Sequence, residues 1–164
     1  MVEQQNHKSP VPASIHLLFN NEKLDLMKVL CLMNAFSNQS NKQRKVDEII
    51  FYYSLVNFNL ICLIDSDSEK NNVFAPSPNL YYRFQTKINS ILLMMYNLEF
   101  IDVKGDMSKK IGESKVKLLP HGKRFFEGNK SGYFDDLFEK YIEVYEEISY
   151  SSENIKKIRG GNFE

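Results

Sequence analysis

The chain has no tryptophan, only two cysteines, three histidines and seven glycines in 164 residues, and its 21 basic side chains are balanced by 21 acidic ones. Each shortage excludes something. Metal centres need clustered His, Cys or carboxylates, but His7, His16 and His121 are far apart and the cysteines show no CxxC spacing. Cys31 and Cys62 lie inside apolar runs and read as buried, reduced thiols. Asp65, Asp67 and Glu69 alternate, yet the Gly and distal Glu of a calcium loop are missing. The few glycines form neither G-x-x-x-x-G-K-[ST] nor G-x-G-x-x-G, and no Ser or Cys carries a nucleophile signature. No catalytic residue, metal ligand or cofactor is therefore expected. Zero net charge removes any global pull toward nucleic acid or membrane. No stretch reaches the roughly 18 uninterrupted apolar residues of a membrane span, and Met1 to Pro12 contains no apolar signal core. A soluble cytoplasmic protein is expected.

Aromatic residues are plentiful. Twelve Phe and nine Tyr must go into a core or an interface. Residues 1–13 read as a flexible arm, and Ser14–Phe19 as a short strand or entry turn. Asn20 and Asn21 are good caps, with Phe19 placed to staple the first turn. The first helix is predicted from Glu22 to about Phe36 and is apolar nearly all round. Such a helix is either buried on most sides or shared between its own core and a partner. The second is predicted from about Lys45 to Phe58. One of its faces carries Val46, Ile49, Ile50 and Tyr53, and a second carries Phe51, Tyr52, Leu55 and Phe58. This surplus marks Leu26, Leu32, Met33, Phe51, Tyr52, Leu55 and Phe58 as the candidate partner interface. Residues 60–64 fit a strand or a helical extension. A third helix, about Asn79 to Tyr96, has the inner stripe Tyr81, Phe84, Ile88, Ile91, Leu92 and Met95, and Asn97 is suited to end it in a left-handed conformation.

After that helix come an apolar segment at Leu98–Val103, a Gly- and Lys-rich loop, a second segment at Lys115–Leu119, and a helix opening near Pro120. Helix, strand, long hairpin loop and strand are the layout of a winged helix. The expected class is mainly α with a small β-hairpin (α+β): one winged helix-turn-helix domain over residues 14–148, with additional N- and C-terminal helices and its wing at about 98–119. Phe134 to Ile148 is the last predicted helix, and 149–164 is expected to be a flexible tail.

Charge divides unevenly along this neutral chain. Between Lys104 and Arg124 stand seven basic residues, Lys104, Lys109, Lys110, Lys115, Lys117, Lys123 and Arg124, against Asp106 and Glu113. The last predicted helix carries six carboxylates against Lys140. A basic hairpin can lie on phosphates; lysines can equally keep a sheet edge soluble. The seven residues, with Arg83 and Lys87 of the third helix, are the candidate contacts to a nucleic-acid backbone. Tyr81 and Tyr82 are candidates for stacking on bases.

Leu118-Leu-Pro-His-Gly-Lys-Arg-Phe-Phe126 resembles the L-T-x-x-G-x-x-hydrophobic ending of many bacterial winged-helix proteins, with Leu119 in the usual Thr position. Together with Leu18–Leu24, Arg44–Val56 and the distal wing, it resembles the small middle component of bacterial three-component ABC systems. These include Lamassu-type anti-phage complexes, built on an SMC-like ATPase and an effector. The resemblance covers about residues 14–148. It implies a non-catalytic subunit that sits on the ATPase heads and ties them to a nuclease-like effector, with non-specific contact to double-stranded DNA and none to membrane. ATP hydrolysis and cleavage would belong to the partners. The alternative is a winged-helix transcriptional regulator.

Overall fold

The computed structural model describes residues 21–64, 77 and 79–160, and within them lie six α-helices and a small three-stranded antiparallel sheet. Helix α1 is Glu22–Gln39. The Asn21 side chain accepts from the Leu24 amide at 3.1 Å, and Glu22 and Asp25 put negative charge in the first turn, where free N–H groups favour it. Strand β1 is only Arg44–Lys45, and α2 follows directly over Val46–Asn57. Asn59, left-handed at φ 54, then turns the chain into a short 3-10 helix, Leu60–Leu63. The apolar run at 60–64 is thus neither a strand nor a continuation of α2.

Helix α3 is Asn79–Asn97, and its buried residues are Tyr81, Phe84, Ile88, Ile91, Leu92 and Met95, the stripe expected from the 3.6-residue period. It is not Asn97 but Glu99 that takes the left-handed conformation, at φ 57. The Phe100 amide donates to the Met95 carbonyl at 2.9 Å and the Glu99 amide to the Tyr96 carbonyl at 3.0 Å. This is a Schellman closure, and it folds Phe100, 3% exposed, back into the core. Strands β2, Ile101–Lys104, and β3, Lys115–Leu118, form the hairpin. Helix α4, Pro120–Asn129, opens on a proline, whose missing N–H costs nothing at that position. Helices α5, Gly132–Glu147, and α6, Ser152–Ile158, complete the chain.

The sheet order is β1-β3-β2. The strand that comes last in sequence is central, with Arg44 opposite Val116 on one side and Val103 opposite Val116 on the other. A two-residue β1 is too short to show any alternation, which is why the sequence suggested only a hairpin.

Helix α1 runs through the middle of the molecule, touching α2, α3, α4, α5 and β3. That position corrects the expected partner interface. Leu26, Leu32, Met33, Phe51, Tyr52 and Leu55 are buried in the chain's own core, and Phe58 is half-buried with its ring 5.7 Å from Tyr53. The apolar surplus on α1 and α2 is consumed by α5, whose Tyr145 ring packs 5.4 Å from both Phe36 and Tyr52.

The expected loose tail is a second correction. Ile158 of α6 is fully buried, and Tyr150 places its ring 5.4 Å from Phe51. Arg159 donates to the Tyr81 hydroxyl at 3.2 Å. The arm at 1–13, the segment 14–19 and the acidic loop at 65–72 lie outside the described residues, as do 161–164. No helix among the described residues is long and apolar enough to cross a membrane.

Candidate functional site

The β2–β3 hairpin has two unlike faces. Ile101 and Val116 are buried and Val103 half-buried on the inner face, while Asp102, Lys104, Lys115 and Lys117 alternate with them on the outer face, as strand geometry requires. Pairing sets Lys45 of β1 opposite Lys115, and Lys115 opposite Lys104. Three exposed lysines therefore share one rung across the sheet. Lys45 was missed at the sequence level, because it fell at the predicted start of a helix. Asp102 is opposite Lys117.

The connection between the strands is no free finger. Its turn at Ile111–Glu113 packs on α2, and the Val46 amide donates to the Ser114 carbonyl at 2.9 Å. Gly112 lies so close to the Asp47 carboxylate that a Cβ there would stand 2.3 Å from Oδ1. Lys109 and Lys110 remain exposed at the tip, the latter 3.7 Å from Glu113. Asp106 is occupied by Ser108: the Ser108 hydroxyl and amide both donate to it and hold its carboxyl below the usual range.

The other candidate cations stand elsewhere. Lys123 is half-buried on α4. Arg124 lines an open cleft of about 710 Å³ with Tyr96, Glu99, Asp102 and His121. Lys87 is half-buried and reaches the Asp25 carboxylate at 3.3 Å, and both it and Arg83 line a second cleft, between α1 and α3. Asp25 is held from below by the Tyr53 hydroxyl, which donates to it at 3.0 Å. Burial pushes the Tyr53 phenol far up, and the Asp25 charge adds to the effect. Tyr81 is buried at 1% exposure and cannot stack on a base.

The outermost side of α3 carries a stripe without charge, with exposed Arg83 beside it. Tyr82, Thr86, Asn89, Leu93 and Tyr96 fall on one side of the helix, and Tyr82, Leu93 and Tyr96 are 45%, 55% and 51% exposed. Leu98, 47% exposed, continues the apolar surface past the helix end. Arg83 and Lys87 flank this crest rather than occupy it. The sequence carries the signal, since Leu93 and Tyr96 lie off the buried stripe, but a search for cations passes over it.

Burial pushes the Cys31 thiol up to about 12, so no thiolate forms near neutrality. No three His, Cys, Asp or Glu among the described residues converge on a point that could hold a metal ion. Compared with protein-family models, with curated proteins and with solved structures, the chain matches none.

Proposed function

We propose that the chain is a winged-helix assembly subunit, non-catalytic, that docks on a partner protein through the exposed crest of α3. The order helix, strand, helix, helix, strand, strand, with β3 between β1 and β2, supports the winged-helix reading. The observation that carries the docking role is the uncharged crest: Leu93 and Tyr96 stand more than half exposed on the helix that would enter a DNA groove. Duplex readout needs basic or amide groups aimed at base edges, whereas Tyr with Leu suits the desolvated centre of a protein interface. This weighs against the regulator.

The resemblance of residues 14–148 to the middle component of Lamassu-type systems supplies the partner class. The subunit would sit on an SMC-like ATPase and join it to a nuclease-like effector, in anti-phage defence. Co-expression of the chain with an SMC-like ATPase and a nuclease-like effector of this class, followed by size-exclusion chromatography, tests this. Co-elution is expected, and Leu93→Asp with Tyr96→Asp should abolish it without lowering the melting temperature. A chain that elutes alone as a monomer in the presence of both would overturn the reading.

A further inference from the structure

We propose that the cleft between the C-terminal end of α3 and the start of α4 receives an arginine side chain of the partner protein, held by Glu99 and Asp102 beside the Tyr96 ring. The inference rests on the docking role of α3, since Tyr96 belongs to both surfaces, and it names what the partner must present there.

The cleft measures about 710 Å³ and is lined by Tyr96 of α3, Glu99 of the turn after it, Asp102 of β2, and His121 and Arg124 of α4. Its size is that of a site for a compact ligand. Both carboxylates are exposed. Tyr96, 51% exposed, also ends the uncharged crest of α3, so a partner seated on the crest passes directly over the opening.

Glu99 is left-handed at φ 57. A residue with a Cβ adopts that conformation at a cost, and glycine adopts it freely. The closure of α3 requires the conformation, for which glycine is the usual residue, but it does not require a carboxylate. A glutamate kept at such a position points to a use for its side chain, and Glu99 stands at the wall of the cleft.

The chemistry of the lining selects the occupant. Two carboxylates attract a cation and repel phosphate. A guanidinium carries five N–H donors in a rigid plane, bonds carboxylates in pairs and stacks its face on aromatic rings. Tyr96 and His121 supply rings from the two walls. A lysine ammonium would find the same charge but makes less of the rings. Arginine and tyrosine are also among the residues that dominate binding energy at protein interfaces. Two cations of the chain share the neighbourhood, Arg124 on the α4 wall and Lys117 opposite Asp102 on β3. Asp102 is therefore the more shared carboxylate, and Glu99 carries the larger part.

The test follows backbone amide shifts by NMR in the isotope-labelled full chain, titrated with N-acetyl-arginine amide and with its neutral isostere, N-acetyl-citrulline amide. Saturable shifts over residues 96–102 and 119–124 are expected with arginine alone. Glu99→Gln combined with Asp102→Asn should weaken that binding about tenfold or more, the effect of losing a hydrogen bond to a charged group. Arg124→Gln removes a like charge and should strengthen it. Glu99→Gly should melt above the parent and bind arginine as weakly as Glu99→Gln, which separates the side chain's role from that of the turn. Where an SMC-like ATPase captures the chain, the double variant should dissociate faster. Equal shifts with citrulline, shifts that follow Asp136 and Glu139 of the acidic α5 instead of the cleft, or full arginine binding by Glu99→Gly overturns the proposal. The titration needs no partner, so it can fail while co-elution through α3 stands, and co-elution can fail while the titration stands.

Discussion

Gly122 is the residue whose identity the structure explains most directly. It is the glycine of the Leu118–Phe126 motif, buried on α4, and a Cβ there would meet the Phe100 carbonyl oxygen at 2.6 Å and the Phe100 Cα at 2.9 Å. Both are backbone atoms, so no side-chain adjustment relieves the clash. The Leu119 amide donates to that same carbonyl at 2.8 Å, which fixes it in place. Gly122→Ala should therefore cost about 1–3 kcal/mol, as overpacking does, and lower the urea midpoint with an unchanged denaturant slope. Gly128, on the same helix, has nothing within 4 Å of its virtual Cβ. Gly128→Ala is the internal control and should be neutral or slightly stabilising. The motif was legible in the sequence as a marker of fold; the atom it must avoid was not. Glu99 shows the opposite case. A glutamate at positive φ leaves no local signature, so Asn97 was the more plausible stop.

At the scale of elements, amphipathic period decided what could be read. The α3 stripe was legible because one face is buried and the other is not. Helix α1 is apolar all round, and periodicity states that such a helix is covered without saying by what. The answer, α5 and the other elements around it, depends on contacts between segments distant in sequence. For the same reason α6 escaped notice. Ser152–Ile158 is short and mostly polar, and its burial rests on Ile158 and half-buried Ile155. The structure gives the segment a definite energetic role. Ile158→Ala should destabilise by about 2–5 kcal/mol, the range for emptying a buried aliphatic site, and hydrogen exchange should speed across 152–158. A loose tail would show neither effect. In the hairpin, alternation and local charge were legible, while the third strand that turns its lysines into a rung was not.

The whole molecule carries a signature in its tyrosines. Burial, the largest cause in each case, pushes Tyr52 and Tyr150 up to about 12 and raises Tyr81, Tyr53 and Tyr141 as well. In the unfolded chain these phenols titrate near 10. Above that pH the folded state keeps protons the unfolded state has lost, so stability is full below about pH 10 and declines as pH climbs toward 12. Urea midpoints measured over this range should fall. The charges are segregated at this scale too. The lysine rung projects from the outer side of the sheet, while Arg44 on the inner side lies 5.1 Å from Tyr145 of the acidic α5. Sheet order also imposes a timetable. On a ribosome β1 emerges early, yet its hydrogen-bonded neighbour among the described residues, β3, follows α2, α3 and β2. Until Leu118 has left the exit tunnel the sheet has no centre, and α1 waits still longer for α5 to cover it. The nascent chain thus shows an uncovered α1 until α5 has emerged, which makes translation speed and early chaperone contact the points at which it is most easily lost.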